Sequence, residues 1–420
     1  MAPTPTARTG PIPTERTGPT PPPAEPPRAL AELIGQAAAA DFLATSFGRD
    51  VWRIRLEPAA ARAYFGWERL NAALAEHRLG PPRLRLERAG QDVTRSAGKP
   101  RRTRRGESLY DLDVAGLNGA LRDGATLILD AAHELSPPLQ RLCAGLAADY
   151  TCAVQANLYA CWGTTQGFDI HWDDHDVFVL QVEGRKTWRL YGPRRASPTR
   201  LDFHAEHPKP SAPIKEIVLE AGDLLYLPRG YWHAAVGCGE PTLHLTIGLT
   251  RKTGADFLHW LADRSVSDAA FRADLPFEQG DPAMADRLAD LLRSIGDSDP
   301  AELARAYRRH VEAAQAQRPK LSFPLIGQPH EPLDPGTRLT LADGPATLRP
   351  AEGAGYVVLR WRGVDFTLAE ELAPALRRLA DRQTVTLAEF RDLMAERERP
   401  LADDLVHELI GRGVLAARRP

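Results

Sequence analysis

Hydrophobic and polar positions divide the chain into stretches of different period. Residues 1–28 are rich in Pro and Thr and hold almost nothing to bury, the composition of a disordered tail. Helical spacing begins at Leu30, Leu33 and Ile34, and mixed structure is expected to about residue 125. The pattern changes at Thr126-Leu127-Ile128-Leu129-Asp130, which predicts a strand, followed by a helix over 138–146. Short β-rich runs with turn signals come next, over 154–159, 177–182, 187–191, 216–219, 223–227 and 242–249. Short strands without long helices between them predict an all-β barrel or jelly roll.

Beyond Lys252 the period becomes helical, over 257–263, 282–295 and 300–314. A further unit begins near residue 335, with strands such as 356–361, then helical segments over 368–380, 387–395 and 401–412 and a closing strand over 414–417. Strands, three helices and a terminal strand resemble a winged helix. A DNA reader needs a basic third helix, but this one carries Asp403, Asp404 and Glu408. Protein contact or scaffolding is therefore expected, and direct DNA binding is not. The expected organisation is a tail (1–28), a β catalytic domain (29–250), a helical region (251–330) and a winged-helix domain (335–420).

At 420 residues, two or three folded units are the natural division. A net charge of −2 gives no global drive toward nucleic acid or membrane. The first residues lack the apolar core of a signal peptide, and no run has the length of a membrane span, so a cytoplasmic protein is expected. Cys143, Cys152, Cys161 and Cys238 form no CxxC pair, which argues for reduced buried thiols rather than a zinc ribbon or disulfide framework. Arg95, Lys99, Arg101, Arg102, Arg104 and Arg105 form a basic run broken by Gly98 and Pro100. Its two readings are a solvated flexible loop and a contact for phosphate or an acidic partner.

The densest chemistry lies in Phe168-Asp169-Ile170-His171-Trp172-Asp173-Asp174-His175-Asp176. A helical HExxH zinc site fails, because Trp172 stands where the general-base glutamate belongs. On a strand, Asp169, His171, Asp173 and His175 would share a face, and a neighbouring pair among them could chelate one ion. Asp174 and Asp176, on the other parity, would make supporting hydrogen bonds. A third ligand is expected 62 residues after His171, where GDLLYLPRGYWH ends in His233. Two imidazoles and one carboxylate on one face leave positions open, as in the facial triad of non-haem Fe(II) oxygenases. His204, His207, His259, His310 and His407 lack such a context and are expected to be structural.

The quoted motifs resemble a known family. Asn157-Leu158-Tyr159, Gln166-Gly167-Phe168, His171-Trp172-Asp173-Asp174, Phe178 through Arg189, Gly222 through His233 and His244-Leu245-Thr246-Ile247 are similar, in order, to the JmjC-type ribosomal oxygenases. The resemblance implies a mainly β core, a double-stranded β-helix of the cupin/JmjC jelly-roll type, with an α-helical dimerisation region and a C-terminal winged-helix domain. It implies Fe(II), with 2-oxoglutarate and O2 as cosubstrates, and hydroxylation of a histidine or arginine side chain in a ribosomal protein by a homodimer. Carried onto this chain, His171, Asp173 and His233 hold iron, and Lys186 holds the far carboxylate of 2-oxoglutarate. Asn157 and Thr246 line the cosubstrate pocket, Tyr159 faces the substrate, and Tyr226, Tyr231 and Trp232 either wall the site or pack the core. Lysine at 186 matches the histidine-hydroxylating branch, and the bacterial arginine-hydroxylating branch has arginine there. Two rival readings are the same chemistry on a biosynthetic peptide, and a non-catalytic metal-binding cupin or winged-helix interaction protein.

Overall fold

The computed structural model describes residues 26–194, 197–200, 202, 208–315, 320–327, 332–342, 346–351, 353, 355–381, 383–394 and 396–420. Most of the expected tail, together with His204 and His207, lies outside the described residues.

Two antiparallel sheets enclose the first core. The strands are β1 (Trp52–Arg55), β2 (Leu84–Arg88), β3 (Gln91–Asp92), β4 (Gly98–Arg102), β5 (Ser108–Leu112), β6 (Thr126–Leu129), β7 (Ala153–Cys161), β8 (Asp176–Glu183), β9 (Lys186–Pro193), β10 (Lys215–Leu219), β11 (Asp223–Leu227), β12 (Tyr231–Gly237) and β13 (Thr242–Thr250). The larger sheet runs β1-β11-β8-β13-β7-β6-β2-β3, and the smaller runs β10-β9-β12. Side-chain alternation divides the larger sheet into two faces. Ala156, Leu158, Ala160, Phe178, Leu180, Val182, Leu243, Leu245, Ile247 and Leu249 turn outward. There they join Leu30, Phe42, Leu43 and Phe65, from helices α1 (Arg28–Ile34), α2 (Gln36–Thr45) and α3 (Pro58–Phe65), in one buried cluster. Val177, Val179, Leu225 and Leu227 turn inward to meet Trp188, Leu190, Ile217, Leu219 and Tyr231. Burying each large side chain contributes about 1.5–3 kcal/mol, so these two layers fix which residues face the barrel interior.

Helices α4 (Trp67–Glu76), α5 (Val114–Arg122) and α6 (Pro137–Tyr150) complete the first region. After the barrel come α7 (Gly254–Ser265), α8 (Ala269–Arg272), α9 (Asp281–Gly296) and α10 (Pro300–Ala314). The last part has its own buried cluster, including Leu339, Leu359, Leu376, Val385, Phe390, Val406 and Leu415. It carries α11 (Ala373–Ala380), α12 (Leu387–Asp392) and α13 (Ala402–Gly411), and two three-stranded sheets.

Three local expectations are corrected. The basic run is not a loop: Gly98–Arg102 pairs with Ser108–Leu112 as a two-stranded hairpin. Residues 368–369, expected to start a helix, end the strand Val364–Ala369, which pairs with Tyr356–Trp361, and the α-helix starts only at Ala373, beside Pro374. Residues 167–175 form no strand, and their one sheet-like contact is a single bridge, His171 to His233.

Candidate metal centre

His171 and His233 are joined through the backbone before their side chains meet. The His171 N–H donates to the His233 carbonyl at 3.1 Å, and the His233 N–H returns to the His171 carbonyl at 2.8 Å. Gly230 N–H donates to the Asp173 carbonyl at 2.8 Å, tying the other end of the segment to the turn before β12. Ligand atoms of His171, Asp173 and His233 all lie within 4.8 Å of one another, and His233 Nε2 is 3.6 Å from Asp173 Oδ2. An ion held at about 2.0–2.2 Å from each donor needs only a small contraction of that triangle.

Both imidazoles are oriented by their other nitrogen. Nδ1 of His171 meets the Asp169 carbonyl at 2.8 Å, and Nδ1 of His233 meets the Tyr231 carbonyl at 2.9 Å. A proton at Nδ1 leaves the Nε2 lone pair free to bind a metal. Burial, helped by neighbouring His171 and opposed by Asp173, pushes the His233 imidazole down to about 4. At neutral pH that ring is therefore a neutral donor, the form a metal takes.

The strand parity expected for Asp169, His171, Asp173 and His175 does not hold, because this segment is irregular. Asp169 turns to Lys209, and His175 bonds Asp174 through Nδ1 at 2.9 Å and packs over Gly248. Asp176 begins β8 fully buried, where it accepts from the Tyr226 hydroxyl at 3.1 Å, the Arg229 N–H at 3.1 Å and Arg251 at 2.5 Å. Tyr226 therefore does not wall the site; its ring packs on Phe42, Phe47 and Phe178 on the opposite face of the sheet. Asp176→Asn should lower folding stability by about 2 kcal/mol in urea denaturation, the scale of a hydrogen bond to a charged group. Metal affinity should stay within a few-fold, since Asp176 is not part of the triangle.

The inner face beside the triad is polar and incompletely bonded. Lys186 is 5% exposed, and no carboxylate pairs with it among the described residues. Burial pulls its ammonium below the ordinary lysine value. His244 projects inward from β13, its ring stacked on Tyr159 at 5.0 Å and edge-on to Trp188 at 5.7 Å. Burial first, and Lys186 second, hold its imidazole well below the usual range. His244 Nδ1, Trp188 Nε1 and Gln181 Oε1 are buried without a hydrogen-bond partner. Trp188 also stacks beside His233, with ring centres 5.6 Å apart. Buried polar atoms cost free energy unless something satisfies them, so this pocket fits a charged polar guest. A dicarboxylate chelating a metal at one end would find a cation and ring N–H donors here.

Asn157 and Thr246 are directly opposed across β7 and β13. Asn157 Oδ1 accepts from the Ala131 N–H at 3.0 Å, so part of that side chain holds the backbone after β6. Sequence reasoning passed over His244, though its alternation with Thr246 on β13 was a usable signal. It also passed over Arg194, whose guanidinium lies 4.5 Å from the centre of the Trp172 ring with no acceptor among the described residues.

Residues 132–257 match the family model described as JmjC domain. A Dictyostelium discoideum protein named bifunctional lysine-specific demethylase and histidyl-hydroxylase NO66 is 33% identical over 189 residues, 43% of this chain and 37% of its own. Ribosomal oxygenase 1 of Gallus gallus is 36% identical over 166 residues, 38% of this chain and 28% of its own. Residues 132–257 form a JmjC domain, and over this part the chain is similar to the ribosomal oxygenases. The matched part spans only about a third of the length of these relatives. The fold itself extends further: the X-ray structure of Escherichia coli ycfD superposes with a TM-score of 0.56 at 16% identity, covering 90% of this chain and 98% of that one. A second ycfD structure, described as a complex with cobalt and 2-oxoglutarate, has a TM-score of 0.54 at 15% identity, over 90% of this chain and 98% of that one.

Proposed function

We propose that this chain is an Fe(II)- and 2-oxoglutarate-dependent oxygenase that hydroxylates a histidine or arginine side chain of a ribosomal protein. The observation that carries this reading is the His171, Asp173 and His233 triangle beside a buried lysine that has no acid of its own. His171, Asp173 and His233 would hold the iron, and Lys186 the far carboxylate of 2-oxoglutarate. Asn157 and Thr246 line that pocket, and Tyr159, stacked on His244, fixes its wall toward the substrate. When bound, the iron supplies oxygen activation, by which 2-oxoglutarate, O2 and substrate become succinate, CO2 and hydroxylated product. The protein's own share is to orient both ligating rings by their Nδ1 bonds and to exclude water with Trp188, Tyr231 and the inner-face aliphatics. Relatives named histidyl-hydroxylase and ribosomal oxygenase support the substrate class.

The orphaned donors around Lys186 favour turnover over an inert metal-binding scaffold, which has no use for a buried cation. The same chemistry on a biosynthetic peptide is the main alternative substrate. Intact-mass analysis of ribosomal proteins from cells with and without this gene tests the reading. One protein should lose the mass of a single oxygen in the deletion strain. An unchanged ribosomal set, together with no Fe(II)-dependent succinate formation on ribosomal peptides, would overturn it.

The helical region serves dimerisation in this reading, and the chain works as a homodimer. Helix α9 buries none of its residues, and Leu258, Val266, Phe277, Leu288 and Leu292 are exposed across α7–α9. Such a run of apolar side chains is the usual mark of a covered face. The unit over 335–420 is a winged-helix domain with a protein-contacting role, supported by Asp403, Asp404 and Glu408 on α13. No helix among the described residues is long and apolar enough to cross a membrane.

A further inference from the structure

The basic run absorbed by neither the metal centre nor the cores is built as a rigid projecting hairpin. Residues 95–107 hold six basic side chains and one acid, Glu107, in a chain with 53 basic and 55 acidic residues overall. Strands β4 and β5 pair through five registered positions, Gly98 with Leu112 to Arg102 with Ser108. The turn is closed by Thr103 N–H to Glu107 carbonyl at 2.9 Å and Gly106 N–H to Thr103 carbonyl at 3.0 Å, with Gly106 at φ +85°. That left-handed position suits glycine and places Arg104 and Arg105 at the tip.

Tyr110 anchors the base. Its hydroxyl donates to the Thr94 carbonyl at 2.8 Å, and its ring lies so close under Gly80 and Gly98 that a Cβ there would sit 2.6 Å and 2.7 Å from it. The hairpin follows β3, and the β2–β3 turn is bonded at Ala89 and Gly90 to the carbonyls of Gln166 and Gly167. Gln166 and Gly167 begin the segment that leads to His171 and Asp173, so the hairpin extends from the β3 edge of the larger sheet, where that segment is tied down.

Arg101 is committed to Asp111. Among the described residues, Arg95, Lys99, Arg102, Arg104 and Arg105 are exposed and make no ion pair. No exposed side chain over 98–107 is apolar beyond Pro100. A protein partner is normally gripped by aromatic or aliphatic anchors, and a membrane by inserted apolar groups, and this surface offers neither. It offers exposed guanidinium forks on a paired backbone, which match phosphate oxygens in pairs.

We propose that the β4–β5 hairpin docks on the phosphate backbone of RNA. The inference rests on the ribosomal reading only for the choice of RNA as the polyanion: the RNA that surrounds a ribosomal protein would position its target side chain at the metal centre.

The test uses the full chain and a short fluorescein-labelled RNA duplex, with polyglutamate as the acidic-polypeptide probe. Wild type should bind the RNA with strong salt dependence. The Lys99→Ala/Arg102→Ala/Arg104→Ala/Arg105→Ala variant should bind at least about tenfold more weakly at low salt. Its plot of log affinity against log salt should be shallower by roughly three to four, at about 0.9 per lost phosphate contact. Arg104→Glu/Arg105→Glu, confined to the exposed tip, should show the same direction, with unchanged urea unfolding as the check on folding. Equal RNA binding by wild type and variants overturns the proposal, as does tighter binding of polyglutamate than of RNA by wild type. Turnover on a free peptide should be unchanged in both variants. Loss of RNA binding in the variants with no peptide turnover in any form would sink the proposed function and leave the hairpin's role standing.

Discussion

Replacing His171, Asp173 or His233 by alanine is expected to abolish metal retention and turnover while the chain still folds. The three donors come from an irregular segment and a strand held together by a two-way backbone bridge, which the substitutions leave in place. Losing one of only three protein ligands should lower metal affinity by more than the roughly 10–100-fold that an outer hydrogen-bond partner is worth. Folding should be less affected, because His233 is already neutral near pH 7 and burying it requires no proton release there. Isothermal titration with Fe(II) under anaerobic conditions, beside circular dichroism of each variant, separates the two effects. His175→Ala is the control: its Nδ1 is taken by Asp174 and its ring packs on Gly248, so metal affinity should stay within a few-fold. A His175 variant that folds but loses iron would overturn the ligand assignment.

Lys186 carries the second large effect. Lys186→Met keeps most of the buried stem and removes the charge, whereas Lys186→Ala also opens a cavity. Either should raise the 2-oxoglutarate concentration for half-maximal rate by roughly 10–150-fold, the equivalent of about 1.5–3 kcal/mol for a hydrogen bond to a charged group. Metal affinity without cosubstrate should hardly change, since Lys186 is not among the three donors. Removing a buried ammonium whose ionisation is already disfavoured should leave the Met variant at least as stable as wild type. An unchanged 2-oxoglutarate requirement would remove Lys186 from the cosubstrate site.

Much of the β core was legible because each strand is a local pattern. Alternation in 242–249 and 187–191 encodes which side chains face inward, and the observed strands differ from the expected ones by a residue or two at their ends. Strand β12, which carries His233, was not separately expected, since Tyr-Trp-His-Ala-Ala-Val lacks a clean period and its pairing with β9 includes a register shift beside His233. The candidate triad of His171, Asp173 and His233 was legible for a different reason: ligand chemistry restricts residue types so tightly that HxD followed by a distant histidine stands out.

The charged run over 168–176 shows where sequence stops. Its composition pointed to a metal for some of Asp169, His171, Asp173, Asp174, His175 and Asp176, and to hydrogen bonds within the protein for the others. Strand parity was the wrong means of sorting them, because the segment is not a strand. Sorting depends on partners far along the chain: His233 for the ligating pair, Lys209 for Asp169, and Tyr226 with Arg251 for Asp176. The same holds for Tyr226, where one residue of register decides between the site and the outer core, and for the basic hairpin, which needs Gly80 and Gly98 to admit Tyr110. Local sequence determined the strands, their inward faces and the inventory of donors. Tertiary structure alone decided which donors meet, because a hydrogen bond or a ligand triangle is a distance in space between residues that the chain separates.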